Sequence, residues 1–349
     1  MTPESKLANL IIMFSPLQIL KMLYITKRPF MLNHKINIAC DCRCKFCNSW
    51  QIEEDPETLL DISEIRGLLD QAKRCVMLSY SVWGGEPLLR EDTPAALQYA
   101  RQLGFFTTIS TNGSLLAERA DEFVPYTHRF IVSMDGLSKT HDSVRGFPGL
   151  FDKVADGIES LKKKGAKVRL FYNVNNRTID DVAVAAELAK KWKVSIHFSP
   201  VLGIIGYNDN LLLTAEQTKE IFSEIISLKK QGYPVLNLHP YLKIIRDGSQ
   251  VTCHFPRYHV YVDHDGLIYS CDLGPEHKPA VWGNIRETDL SALVSSKSFR
   301  KRTKEMESCN ACRLSCGEIG AGSPLLQFPV RAWTRLRHEF IFQARARPY

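Results

Sequence analysis

The chain has 349 residues, 44% of them apolar and 24% charged, with a formal net charge of +7. That is enough for one large domain with a smaller appendage, and it excludes wholesale disorder. The positive excess is mild and gathers toward the C-terminus rather than along a stripe, so no nucleic-acid partner is expected.

The N-terminal stretch Leu10–Ile25 is apolar but broken by Ser15, Pro16, Gln18 and Lys21, too short and interrupted for a membrane span. No basic region precedes it and no small-residue cleavage site follows, so it does not read as a signal peptide. Met13, Phe14, Leu17, Leu20, Leu23 and Tyr24, with Lys6, Lys21, Lys27 and Arg28, outline a basic amphipathic helix.

Six β-like runs follow: Lys35–Ala39, Val76–Trp83, Phe105–Thr111, Arg129–Met134, Lys167–Val174 and Val194–Pro200. Between and after them lie the amphipathic stretches Ile62–Lys73, Thr93–Leu103, Leu115–Phe123, Phe151–Lys164, Ile179–Trp192 and Ala215–Lys229. Alternating strands and helices imply parallel strands with right-handed crossovers. Six units fall short of a complete eight-unit barrel, so the expected fold is α/β, a partial (β/α)6 TIM-type barrel with chemistry at the carboxyl ends of its strands. Beyond about Arg246 a hairpin is expected, Tyr258–Asp263 and Leu267–Cys271 around Asp265-Gly266. A basic helix, Leu290–Met306, then leads to a cysteine group and an aromatic, arginine-rich tail. The expected division is 1–31, 32–245, 246–320 and 321–349.

Ten cysteines fall in two clusters, with none between Cys75 and Cys253. A secreted disulfide framework of this density belongs to shorter chains, so thiols held reduced for metal in the cytoplasm are expected. Cys40, Cys42, Cys44 and Cys47 share one loop after the first strand. The spacing Cys40-x3-Cys44-x2-Cys47 lets one loop wrap three irons of a cubane and leave the fourth open, as a catalytic metal requires. A structural zinc knuckle competes with this reading, although Cys40, Cys42 and Cys44 at alternate positions would crowd it. The second strand ends in Gly84-Gly85-Glu86-Pro87, where glycines permit close backbone approach and a carboxylate can meet an ammonium group. A strand-to-helix turn would use the same residues. The third strand ends in Ser110-Thr111-Asn112-Gly113 and the fourth in Ser133-Met134-Asp135-Gly136, followed by His141-Asp142 and Arg145-Gly146. Ser110 and Asn112 suit hydrogen bonds to a ribose or carboxylate, and Asp135 suits a cap. Asn173, Asn175 and His197, late in the last two strands, could face a ligand or serve packing.

The C-x3-C-x2-C loop, with Phe46 before its last cysteine, resembles the signature of the radical S-adenosylmethionine superfamily. The resemblance covers roughly residues 32–318. It implies a [4Fe–4S] cluster on Cys40, Cys44 and Cys47 with an open iron site. There the amino and carboxylate groups of S-adenosylmethionine bind, and an electron from the cluster cleaves the sulfonium to give a 5′-deoxyadenosyl radical. Cys42 lies outside that pattern. The Gly84–Pro87 motif is then expected against the methionine amino group, Ser133 on the carboxylate and ribose side, and Asp135 and Arg145 nearby. Cys253, Gly266 and Cys271, with Cys309-x2-Cys312-x3-Cys316, resemble the twitch and SPASM extensions of the same superfamily. They imply one auxiliary [4Fe–4S] cluster on Cys253, Cys271, Cys309 and Cys312, with Cys316 able to replace one of them; zinc is the competing metal.

The resemblance also implies a reducing partner such as flavodoxin or ferredoxin. Relatives that modify peptides usually carry a peptide-binding domain ahead of the loop, whereas 39 residues precede Cys40, so a small-molecule or lipid substrate is expected. Peptide maturation with a partner chain, and a non-catalytic iron–sulfur or zinc scaffold, are the alternatives. Trp333, Phe340 and Phe342 among Arg331, Arg335, Arg337, Arg345 and Arg347 join the N-terminal segment in suggesting peripheral contact with an anionic membrane. Helices packed on the barrel explain the same residues.

Overall fold

The structure, a computed structural model, describes residues 28–204, 206–249, 257–269, 271 and 281–306. Most of both terminal segments lies outside these residues, as do Cys253, Cys309, Cys312 and Cys316.

Six strands, β1 (Met31–Asn37), β2 (Ser79–Gly84), β3 (Phe106–Thr111), β4 (Arg129–Ser133), β5 (Val168–Val174) and β6 (Ser195–Pro200), pair in parallel in chain order. The helices between them are α1 (Ile62–Arg74), α2 (Thr93–Gln102), α3 (Leu116–Phe123), α4 (Ser138–Arg145), α5 (Leu150–Lys163) and α6 (Val182–Lys191), and α7 (Ala215–Lys230) and α8 (His239–Arg246) follow β6. The sheet does not close. Its other side continues from β1 to β7 (His259–Val262), β8 (Leu267–Tyr269) and β9 (Val281–Asn284), in the order β6-β5-β4-β3-β2-β1-β7-β8-β9. β7 pairs in parallel with β1, while β8 runs antiparallel to both β7 and β9, so the C-terminal hairpin is hydrogen-bonded onto the barrel's own first strand. This is the partial barrel expected from the sequence, with six βα units.

Burial alternates along each strand and separates two faces. Leu32, Ile36, Tyr80, Val82, Ile109, Phe130, Val132, Leu170, Tyr172, Ile196 and Phe198 face the helices and are fully buried. Each such side chain withdrawn from water contributes roughly 1.5–3 kcal/mol, which makes this layer the main source of stability. The opposite, inner face carries Asn33, Lys35, Ser81, Trp83, Thr108, Ser110, Ser133, Phe171 and Asn173, and apart from Asn33 these stay half-exposed although they sit in mid-sheet. At its carboxyl end Trp83, Ser110 and Ser133 line a cleft, whereas Phe106, Arg129, Arg169 and His197 on the same face are buried.

Helix boundaries follow local chemistry. Asp61 with Glu64, and Thr214 with Gln217, form capping boxes that start α1 and α7. Five expectations shift. β1 begins four residues before the expected Lys35, because polar Asn33 and His34 obscured a strand in which both are buried. Asn33 meets His259 Nδ1 at 2.8 Å and His34 meets the Tyr80 hydroxyl at 2.7 Å. Helices α4 and α8 and the short strand β9 were not anticipated. The expected helix Leu290–Met306 is two, α9 (Leu290–Ser295) and α10 (Lys297–Met306). Ser296 is extended between them and its hydroxyl accepts from Phe299 N at 3.0 Å, capping the second. No helix among the described residues is long and apolar enough to cross a membrane.

Candidate active site

The cysteine loop leaves β1 at its carboxyl end and is sewn to the rest of the barrel by main-chain contacts. Gly85 N donates to Asn37 O at 3.0 Å and Glu86 N to Ala39 O at 2.8 Å. The paired glycines make this possible. A Cβ on Gly85 would lie 2.1 Å from Ile38 O and 2.2 Å from Ala39 O, and one on Gly84, at φ +150°, 2.3 Å from Asn37 O. The close approach predicted for Gly84 and Gly85 is thus first an approach to the cysteine loop itself, although both also line the cleft beside it.

Glu86 departs from expectation. Its carboxylate does not face the cleft but is fully buried, accepting from Leu88 N (3.0 Å), Thr111 Oγ1 (2.7 Å) and Asn112 N (2.6 Å). Burial pushes its pKa up to about 8, and the three donors oppose that rise. Glu86 therefore ties the end of β2 to the end of β3, and Pro87 opens the short turn Pro87–Leu89 behind it. Asn112, so fixed, sends its amide to Asp41 Oδ1 (2.6 Å) and toward Cys40 Sγ (3.9 Å).

The fourth strand holds the loop from the other side. Asp135, also fully buried, accepts from Arg145 Nε at 2.6 Å and from Asn173 N at 2.6 Å. Burial raises its carboxyl and also works against the charge on Arg145; the ion pair offsets that penalty for both. Asp135 is therefore neither a cofactor contact nor a helix cap: it acts through Arg145, whose guanidinium lies 5.0 Å from the Phe46 ring centre and 3.9 Å from Cys44 Sγ. The rest of this motif is equally occupied. His141 Nδ1 accepts from Asp135 N at 3.0 Å, and Asp142 accepts from Gly149 N and Phe151 N as a cap for α5. Arg43 N and Lys45 N donate to Arg145 O and Val144 O at 3.0 and 2.9 Å. Gly146, at φ +63°, admits Arg43, whose carbonyl oxygen would lie 2.4 Å from any Cβ there.

Three further contacts escaped the sequence reading, because they come from segments with no motif. Tyr207 donates its hydroxyl to Cys47 O at 2.9 Å, and Asn208 Nδ2 donates to Phe46 O at 3.2 Å. Glu54 accepts from Ile38 N and Ala39 N. Trp50 and Ser49 complete the cleft wall beside Trp83, a residue the second-strand motif already displayed.

The cleft thus gathers Cys40, Cys44, Cys47, Gly84, Gly85, Ser110, Asn112, Ser133 and Arg145 at the carboxyl ends of β1 to β4. Cys42 reaches it too, but its side chain is buried between its neighbours and hydrogen-bonded toward both Cys40 and Cys44, which pushes its thiol far up. The same hydrogen bonds lower Cys40 and bring Cys44 down to about 7. Burial opposes this at both, and Arg145 assists at Cys44. Thiols held toward thiolate beside the N–H donors of Asn112 and Arg145 are suitable iron ligands, so the residues present fit a cluster. Of the second cysteine group only Cys271, half-buried just past β8, is described.

A family model of the Radical SAM superfamily matches residues 35–189, and one of an iron–sulfur cluster-binding domain, SPASM, matches residues 253–316. The chain is 30% identical to the Fe-coproporphyrin III synthase of Methanosarcina barkeri over 286 residues, covering 74% of this chain and 72% of that protein. It is 28% identical to the AdoMet-dependent heme synthase of the same organism, over 83% of this chain and 90% of that one. Among solved structures it resembles Streptococcus suis SuiB bound to S-adenosylmethionine, with a TM-score of 0.66 at 18% identity over 87% of this chain and 75% of that one. The chain belongs to the radical S-adenosylmethionine superfamily, in its SPASM-bearing branch, and is an enzyme that uses a [4Fe–4S] cluster, S-adenosylmethionine and auxiliary iron–sulfur chemistry.

Proposed function

We propose that Cys40, Cys44 and Cys47 each ligate one iron of the catalytic cluster and leave the fourth for S-adenosylmethionine. The observation that carries this is the convergence of those three thiols with Gly84, Gly85, Ser110, Asn112, Ser133 and Arg145 on one cleft. When bound, the cluster supplies the electron that cleaves S-adenosylmethionine to methionine and a 5′-deoxyadenosyl radical, which abstracts hydrogen from the substrate. The chain's own residues do the positioning. Ser110, Asn112 and Ser133 offer hydrogen bonds to the ribose and methionine carboxylate, Arg145 offers a cation beside them, and the main chain at Gly84–Gly85 faces the amino group. Glu86 and Asp135 act one step back, by holding Asn112 and Arg145.

Cys253, Cys271, Cys309 and Cys312 hold one auxiliary cluster in this reading, with Cys316 as the alternative fourth ligand; the SPASM match begins at Cys253 and ends at Cys316. The substrate is a small molecule rather than a peptide. Supporting this, two relatives similar over most of the chain, at 30% and 28% identity, are named for the synthesis of iron porphyrins, while a maturase, Mycofactocin maturase MftC of Mycolicibacterium smegmatis, matches over 84% of the chain at 23% identity. Residues 32–245 form the catalytic unit and 246–320 the auxiliary one.

The test is anaerobic reconstitution followed by incubation with S-adenosylmethionine and dithionite. Release of 5′-deoxyadenosine, with iron and sulfide for two [4Fe–4S] clusters per chain, is expected. Fully loaded protein that releases none would contradict the catalytic reading, and iron for a single cluster would contradict the auxiliary one.

A further inference from the structure

The two ends of the barrel carry opposite charge. Because β1 to β6 are parallel, every segment leaving one of them emerges at the carboxyl end, beside the cysteines, and every segment entering one lies at the amino end. The first carboxyl-end connection alone carries Asp41, Glu53, Glu54, Asp55, Glu57 and Asp61 against Arg43 and Lys45. The connections that run from helix into β2, β3, β4, β5 and β6, residues 75–78, 103–105, 124–128, 164–167 and 192–194, contain no Asp or Glu.

Lysines gather at that amino end. Lys162, Lys163 and Lys164 close α5, Lys190 and Lys191 close α6, and Lys230 closes α7, all of them exposed. β5 and β6 are neighbours in the sheet and α6 packs on α7, so these helix ends lie side by side. A helix dipole favours a cation in the last turn. It does not account for Lys164 and Lys193, which lie past the helix ends and are also exposed. Lys163 meets Glu159 at 2.8 Å and Lys164 meets Asp121 at 2.5 Å, pairs on open surface that contribute little. The turn that ends α1 adds an apolar group to this end: Val76 sits at φ +62°, where glycine is usual, and is 58% exposed.

We propose that the amino end of the barrel docks on an anionic bilayer, with the cysteine cleft turned away from it. The chain outside the described residues points to this occupant. Residues 1–27, whose sequence has a basic amphipathic pattern, join the fold at Arg28, and β1 starts at this same end, where Leu78 N and Ser79 N donate to Phe30 O at 2.8 and 3.3 Å. Two weak signals on one face together give stable attachment where either alone is marginal. Lysines are point charges on flexible stems, suited to a diffuse layer of headgroups, whereas arginine forks serve bidentate recognition. An acidic electron donor fits this face poorly, since strands of six or seven residues put it roughly 20 Å from the cysteine loop. The acid-rich mouth is repelled by the same bilayer, which fixes the orientation.

The test is anaerobic flotation of the cluster-loaded, full-length enzyme with vesicles of equal phosphatidylglycerol and phosphatidylcholine, and with vesicles of phosphatidylcholine alone. Binding to the anionic vesicles only is expected, and it should weaken as salt rises. A triple variant, Lys162→Gln, Lys191→Gln and Lys230→Gln, takes one exposed lysine from each of the three helix ends. It should lower vesicle affinity about a hundredfold, at roughly fivefold per lysine. The control removes the same charge from the carboxyl end, by Lys139→Gln, Arg177→Gln and Lys219→Gln, all exposed. It should change affinity by less than about twofold. Circular dichroism melts matching the parent show that both variants are folded. Equal binding to the two vesicle types, a triple variant that floats like the parent, or a control that loses as much would overturn the proposal. So would a single-stranded oligonucleotide that binds as tightly as the vesicles and is lost in the same variant, because the face would then be a nucleic-acid site. The catalytic reading fails separately, by absence of 5′-deoxyadenosine from loaded enzyme without vesicles.

Discussion

The cysteine loop and the sheet face beneath it are built on opposite rules. The loop is held by hydrogen bonds from four directions: the Gly84–Glu86 main chain, Arg145 with the end of α4, Glu54, and Tyr207 with Asn208. The inner face is only partly closed, with Ser81, Trp83, Ser110, Ser133 and Phe171 half-exposed in the middle of a sheet. A group that must present three thiols in fixed geometry is over-determined; a surface that must admit a ligand keeps its side chains free of the packing that fills the outer face. The difference teaches where rigidity serves this enzyme and where accessibility does.

The largest expected effect that probes this contrast is acid sensitivity. His34, His128 and His141 are each held down to about 3, by burial first and by Arg90, Arg101 and Arg145 respectively. Their contribution is fully present above the unfolded value of 6.5 and is lost as pH falls toward 3. Each costs about 1.4 kcal/mol per pH unit below 6.5. Thermal melts of the cluster-free protein should therefore fall steeply between pH 6.5 and 5, and less steeply in His141→Asn; parallel curves would mean that His141 is not the neutral acceptor for Asp135 N. Next is Asp135→Ala, which strands buried Arg145 and should cost about 3–5 kcal/mol, read as a lower melting temperature with loss of iron loading. An unchanged melt would remove the buried pair from the account.

Gly85→Ala should cost about 1–3 kcal/mol, because a new methyl must displace the Ile38 and Ala39 carbonyls. Iron bound per chain should fall with it, while a loading-neutral result would make the loop more yielding than its contacts imply. The smallest effect in the loop belongs to Tyr207→Phe, which removes one hydrogen bond to Cys47 O and should cost about 1 kcal/mol. The terminal segments, outside the described residues, carry a separate expectation. Flotation with anionic liposomes should weaken when residues 1–30 and 325–349 are removed, and no difference would dismiss membrane contact.

The βα alternation, the hairpin at Asp265-Gly266 and the cysteine spacing were legible in the sequence because each is a short-range signal: period, turn chemistry, ligand interval. What was not legible depends on distance. Glu86 and Asp135 read as ligands because a carboxylate beside glycine at a strand end looks available; only the fold reveals that Thr111, Asn112 and Arg145 have already claimed them. Tyr207 and Asn208 belong to no motif, and they matter because the turn after β6 returns to the first loop across 160 residues of sequence. The start of β1 was missed because Asn33 and His34 are polar residues whose partners, His259 and Tyr80, are supplied by other strands.

The central claim is that Cys40, Cys44 and Cys47, and not Cys42, hold the iron to which S-adenosylmethionine binds. Electron paramagnetic resonance of the dithionite-reduced enzyme, with and without S-adenosylmethionine, tests it in a background where Cys253, Cys271, Cys309, Cys312 and Cys316 are all changed to alanine. The account predicts a [4Fe–4S] signal that shifts on adding S-adenosylmethionine, is abolished in Cys44→Ala and persists in Cys42→Ala. Loss of the signal in both variants, or its survival in Cys44→Ala, would contradict it.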